Sequence, residues 1–177
     1  MPTKLINRVI SSLAILVAVA PMARGQAALD GRDHPLQDSF LDGLVGDWQV
    51  DRVMKNRAAQ NTVQAEWVLN HQFLRLHYLD VATPPKYEAM VFIGYDNAGT
   101  HYVVHWIDVF GGHFCQTIGS GKRDGNAILV TFDYPEGQFQ NTFTFDSKEA
   151  TWTSLMRQKD KTGKWKQFSE DHFRRKS

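Results

Sequence analysis

From residue 47 onward the chain is a succession of short runs rich in Val, Ile, Thr, Tyr, Phe and Trp, each closed by Gly, Asn, Asp or Pro. β-Branched and aromatic residues suit a pleated, half-buried surface, and the intervening residues tolerate turn geometry, so this punctuation predicts an all-β fold. Strands are predicted at 47–55, 62–70, 73–81, 86–95, 100–108, 113–121, 126–133, 138–146, 150–158 and 164–174. The turn signals are "DNAG" after Tyr95, "FGG" before His113, "RDGN" after Lys122, "YPEG" after Asp133 and "KDKTGK" before Trp165, with Pro84-Pro85 parting the third run from the fourth. Short turns favour an antiparallel up-and-down meander. A meander of about eight to ten strands closes into a barrel, because closure removes its unpaired edges. Some runs are apolar on one face, as in "QFQNTFTFD", where Phe139, Phe143 and Phe145 share a side with Asn141. Others, such as "EAMVFIGYD" and "YVVHWIDVF", are mixed on both faces, as a barrel with a partly polar interior requires.

Ahead of the strands, Leu36, Phe40, Leu41 and Leu44 recur at helical spacing and predict one short amphipathic helix, ended by Gly46. Further upstream, Lys4 and Arg8 precede an apolar run from Val9 to Ala20, and Gly25 and Ala27 carry the small-residue spacing of a cleavage site. That order reads as a secretory signal over residues 1–27, with a single domain over 28–177 and a periplasmic or secreted destination. No cysteine follows the apolar run, so a lipid anchor is not expected, and nothing later is apolar enough to span a membrane. Cleavage would remove Lys4, Arg8 and Arg24 from the 20 basic residues and none of the 19 acidic ones, a net charge of about −2. No basic run with interleaved aromatics exists, so nucleic acid is not an expected partner. Cys115 is the single cysteine. It allows no intrachain disulfide and is expected to pack in a strand.

"LVGDW", Leu44 to Trp48, resembles the Gly-x-Trp that opens the first strand of lipocalins and their calycin relatives. The resemblance implies that Trp48 closes one end of the barrel and that a late basic residue, Arg174 or Arg175, packs across it. The longer series "EWVLNHQFLRLHY", "FIGYD" and "YVVHWID" resembles a bacterial family catalogued as domain of unknown function 1579, over about residues 38 to 174. It implies a lipocalin-like, calycin-type barrel and no settled reaction. The small-residue pair usual in the second hairpin is Asn70-His71 here. Nitrobindin-like haem barrels offer a second comparison, with His172 late in the chain. Their glycine-rich opening is absent, since Trp48 is followed by Gln-Val-Asp-Arg.

His101 and His105 have zinc-chelating spacing only if they lie on a helix. "HYVVHWIDV" reads as a strand, on which four residues cover about 13 Å, too far for one metal. No metal and no cofactor are expected. Trp106 and Asp108 share a strand face; an inward Asp108 needs a donor, for which Arg52, Arg75 and Arg157 are candidates. Such a pair can orient the polar head of a ligand. Glu66, Glu170 and His172 invite acid–base chemistry, but no nucleophile elbow or catalytic triad is recognisable. The tryptophans at 48, 67, 106, 152 and 165 suit either pocket walls or core.

The sequence therefore predicts a calycin-type barrel of about eight to ten strands that binds a small, partly apolar molecule in its interior, with Trp48, Arg52, Trp67, Tyr95, Trp106, Asp108 and Arg157 as candidate ligand residues. The alternatives are a small barrel enzyme using Glu170, His172 or Asp108, and a structural or partner-binding envelope protein with a filled barrel. No oligomeric state is specified.

Overall fold

The computed structural model describes residues 34–176; the expected signal segment and its cleavage site lie outside the described residues. A single helical turn, α1 (Ser39–Asp42), comes first. Asp38 caps it, its carboxylate accepting from the Phe40 and Leu41 amides at 2.9 and 3.2 Å. The helix is shorter than the apolar spacing suggests, because the chain leaves it at Gly43 rather than Gly46. Phe40, Leu41 and Leu44 are nonetheless all buried.

Ten strands follow: β1 (Gly46–Met54), β2 (Arg57–Val68), β3 (Phe73–Asp80), β4 (Glu88–Asp96), β5 (His101–Asp108), β6 (Ile118–Asp124), β7 (Ala127–Tyr134), β8 (Gly137–Asp146), β9 (Thr151–Lys159) and β10 (Trp165–Arg175). Each pairs antiparallel with its sequence neighbour, and β1 pairs with β10 to close the barrel. The predicted fold class holds, and eight of the ten predicted strands lie within two residues of their expected positions, while the second begins five residues earlier than expected.

The sixth differs. Residues 113–115 are not strand but part of a helical turn, α2 (Gly112–Cys115), and β6 begins only at Ile118. Gly111 takes φ 83°, which a side chain resists, and this releases the chain from the β5 direction. Cys115 thus sits on α2 rather than in a strand, with its thiol 3.1 Å from the Gly111 carbonyl oxygen.

Turn chemistry explains the hairpins. Lys55 and Asn56 both have positive φ, 47° and 65°, as a two-residue primed turn requires. Between β2 and β3 the departure at Asn70-His71 produces three successive left-handed residues, Leu69, Asn70 and His71. The His71 ring then stacks on Trp67 with centroids 4.1 Å apart, and its carbonyl oxygen accepts from the Leu36 amide at 2.9 Å. This turn therefore ties the segment before α1 to the barrel.

Alternate residues of each strand point into the barrel. On β1 the inward set is Trp48, Val50 and Arg52; on β3 it is Leu74, Leu76 and Tyr78; on β8, Asn141 lies inward between the aromatic positions. A register shift between Gln167 and Ser169 sets the phase of β10, so that Ser169, Asp171 and Phe173 face inward. Among the described residues no helix is long and apolar enough to cross a membrane.

Candidate functional site

The end of the barrel next to α1 is a plug. Trp48 is buried, and its indole N–H donates to the Leu44 carbonyl oxygen at 2.7 Å. Trp152 donates to the Gly43 carbonyl oxygen at 3.2 Å, and Trp67 to an Asp42 carboxylate oxygen at 2.9 Å. Arg175, not Arg174, covers Trp48: its guanidinium carbon lies 4.2 Å from the ring centroid, and its N–H groups reach the Val45 and Gly43 carbonyl oxygens at 2.5 and 3.3 Å. Arg174 points outward to Asp51. Gly46 is required here, since its φ is 129° and a Cβ would strike the Arg175 guanidinium. The Gly-x-Trp thus marks a closed base.

About 13 Å further along β1, four residues past Trp48, the interior changes character. Arg52 is buried and forms a bidentate pair with Asp171 of β10, Nε to Oδ1 at 2.7 Å and Nη2 to Oδ2 at 2.6 Å. Burial opposes the guanidinium charge, but the Asp171 carboxylate outweighs it and the Arg52 pKa is raised. Asp171 has no exposure to solvent and accepts a further bond from Ser169 Oγ at 3.2 Å.

The register extends this pair into a belt. Ser154 on β9 stands opposite Asp171, and its hydroxyl donates to Asn141 Oδ1 of β8 at 2.8 Å. On the other side Asn61 of β2 is diagonal to Arg52, and Tyr78 of β3 is diagonal to Asn61. The inward residues Tyr78, Asn61, Arg52, Asp171, Ser154 and Asn141 therefore occupy six consecutive strands. The facing wall is apolar, with Val91, Ile93, Val104, Val130 and Phe132. Tyr78 and Tyr87 flank the guanidinium, 5.4 and 5.1 Å from ring centroid to its carbon, and Trp106 donates to the Tyr87 hydroxyl at 3.1 Å. Burial raises the pKa of both tyrosines.

Among the described residues Arg75 Nε on the outer face is buried without a hydrogen-bond partner, and so are three belt atoms: Asn61 Oδ1, Tyr78 Oη and Asn141 Nδ2. Their residues are 3 %, 0 % and 1 % exposed. Most buried polar groups in folded proteins are bonded, and each that is not costs about 1–3 kcal/mol.

The expected site residues divide. Arg52 and Trp106 adjoin the belt. Asp108 is inward but does not pair with Arg52, which Asp171 already holds. Asp108 lies near the rim, accepts from the Phe110 amide at 3.0 Å, and has its pKa raised by burial. Arg75 pairs with Glu66 on the outer face. Arg157 is exposed beside inward Met156, so it does not line the interior as expected. Trp48 and Trp67 belong to the plug. Tyr95 packs edge-on to Tyr102 in an open groove of about 540 Å³ beside α1; a second groove of about 490 Å³ lies across Arg123 from it.

Glu170 and His172 alternate with Asp171 and therefore lie outside the barrel, 3.3 Å apart. They cannot act together on an enclosed molecule, which removes that form of the enzymatic alternative. His101 and His105 sit on the β5 strand as read, and His105 donates to the Cys115 carbonyl oxygen at 2.8 Å. Residues 107–118 expose Ile107, Val109, Phe110, Phe114 and Ile118 around the rim.

The residues missed from sequence are Asn61, Tyr78, Ser154, Ser169 and Asp171. One signal for them was present: Ser169 and Asp171 lie in phase with apolar Phe173.

No curated protein matches the chain. The family described as Protein of unknown function (DUF1579) matches residues 36–175, nearly all of the described barrel, and the chain belongs to that family.

Proposed function

We propose that the barrel binds a small, partly apolar molecule in the half of its interior away from α1. The observation that supports this is the set of three buried, unpartnered polar atoms, all on inward faces of one belt. A purely structural core would replace them with apolar groups of similar shape at a gain in stability. A bound polar group would instead complete their bonds, and the apolar wall opposite would hold the rest of the molecule. Strand number adds to this, since barrel diameter grows with strand count and about eight strands already suffice to hold a small ligand. The leading residues support export, so the proposed setting is the periplasm or the exterior.

Native mass spectrometry of protein taken from its own host tests the reading. A discrete added mass is expected, and its loss on Tyr78→Phe would locate it at the belt. Protein of bare mass that also fails to quench its tryptophan emission with any apolar probe would refute it. A second reading rests on the rim, where Phe110 and Val109 are 67 % and 55 % exposed: a partner-binding envelope protein would use such an apolar patch. Co-purification of a protein lost on Phe110→Ser, with an interior indifferent to probes, would favour it.

A further inference from the structure

We propose that the mouth of the barrel, the end away from α1, docks on an anionic lipid surface. The inference concerns the outside of the molecule and stands apart from what the interior holds. Among the described residues ten large apolar side chains are exposed, and only Leu69 and Leu129 lie away from the mouth. The rest sit on the β1–β2, β3–β4 and β5–β6 turns or on the strand ends beside them, with Phe110 and Val109 the most open at this end. A string of rings joins this apolar lip to the far side of the mouth. Phe114 packs on Tyr134 at 6.0 Å, Tyr134 on Phe139 at 6.3 Å and Phe139 on Phe168 at 5.3 Å, and the Lys55 ammonium lies 5.0 Å from the Phe168 centroid.

The turns of the same end carry an excess of positive charge. Lys55, Lys86, Lys161 and Lys164 lie on them against two carboxylates, Glu136 and Asp160, whereas the turns at the other end hold Lys148 and Glu149 in balance. The four lysines are exposed and form no ion pair among the described residues. The carboxylates are already engaged: Glu136 faces His113 at 2.8 Å, and Asp160 accepts from the Thr162 and Lys164 amides. On the strand ends behind them, Asp80 accepts from two turn amides, Glu88 faces His77 and Asp108 accepts from the Phe110 amide. The mixture selects the partner. A polyanion would use the lysines and leave the phenylalanines exposed. Protein–protein interfaces are depleted in lysine. A bilayer interface takes both kinds of side chain: apolar and aromatic groups enter the acyl boundary, while lysines lay their stems along it and hold anionic headgroups.

The test is flotation of the protein, produced in its own host with whatever processing it undergoes there, with two kinds of vesicle: phosphatidylcholine alone, and phosphatidylcholine with about a quarter phosphatidylglycerol. Binding is expected to be at least about tenfold tighter to the anionic vesicles and to weaken in about 0.5 M salt, which screens exposed charge. Lys161→Glu with Lys164→Glu should weaken it at least about tenfold, and Val109→Ser with Phe110→Ser should weaken it comparably. These side chains are exposed, so the urea midpoints should hold and a loss of binding is not a loss of fold. Lys122→Glu with Lys148→Glu changes the net charge equally at the other end and should leave binding near the parent's. An equal loss from that pair overturns the proposal, because overall charge and not the mouth would then be responsible. Binding to both vesicles alike, indifferent to the mouth substitutions, overturns it too, since the leading apolar run would account for it. Binding to neither overturns it and leaves interior binding standing. Capture of a protein that is lost on Phe110→Ser, without vesicle binding, overturns it in favour of a protein partner.

Discussion

The two halves of the barrel interior treat polar groups in opposite ways. Next to α1, the Trp48, Trp67 and Trp152 indoles all have acceptors, the Tyr102 hydroxyl donates to Asp38 at 2.6 Å, and Arg175 is spent on two backbone oxygens. In the other half, Tyr78, Asn61 and Asn141 each bury an atom with nothing to bond. The same chain thus satisfies its polar groups where it seals the barrel and leaves them open where it does not. Local choices that conflict with stability tend to mark functional sites, and inside the barrel, among the described residues, that conflict falls in one contiguous belt.

The largest expected effect comes from breaking the buried charge pair. Asp171→Ala would leave Arg52 charged, enclosed and uncompensated, at a cost of about 3–5 kcal/mol. Trp48→Ala should cost a similar amount, about 3–5 kcal/mol for a buried indole, and the Arg175 contact over its face would go too. The two halves should part when compensation is tried. The double substitution Arg52→Met with Asp171→Leu is expected to recover the urea midpoint or exceed that of the parent by about 1–4 kcal/mol, while losing affinity for the probes. A double variant as unstable as Asp171→Ala would mean that the pair is a structural seal like the plug.

Much of this architecture was legible in the sequence, and for identifiable reasons. Turn residues punctuate the strands, so most could be placed; at the sixth, "HFC" after the "FGG" turn was read as strand, whereas Gly111 turns the chain into α2. Trp48 and its late arginine were legible through the Gly-x-Trp. The belt was not. Period-two alternation assigns Arg52 and Asn141 to faces, but pairing across 119 positions of sequence depends on closure of β1 on β10. Asp108 was the more conspicuous carboxylate because it adjoins Trp106. Asp171 lay unnoticed between Glu170 and His172, on the opposite face of the same strand.

Two tyrosines sharpen the comparison with a single atom removed from each half. Tyr102 is bonded, and Tyr102→Phe takes a donor from the Asp38 carboxylate, which also caps α1. Loss of about 1.5–3 kcal/mol is expected for a bond to a charged group. Tyr78 is fully buried and unbonded. Tyr78→Phe removes a hydroxyl that is desolvated without return, so stability should hold or rise by about 1 kcal/mol or more. Chemical denaturation of both variants, free of added ligand, gives the signs. Equal losses would mean that the Tyr78 hydroxyl is satisfied in solution, and the contrast between the halves would fail.

Asp108 provides the smallest effect and one whose sign depends on pH. Burial is the main cause that raises its pKa above the ordinary 3.8, against the Phe110 amide bond that lowers it. A carboxyl with a raised folded-state pKa binds its proton more tightly when folded than when unfolded. Ionisation is therefore penalised in the folded protein: the penalty is absent below about 3.8, develops as pH rises to the folded-state value, and is complete above it. Asp108→Asn keeps an oxygen for the Phe110 amide and removes the ionisation. The variant should be more stable than the parent at neutral pH, by under about 1 kcal/mol because the half-buried group is screened by water. The advantage should shrink as pH falls through the folded-state pKa. Urea midpoints of the two proteins across the acid range supply the measurement. An advantage that instead grew in acid would reverse the sign of the burial effect and place Asp108 among the satisfied groups.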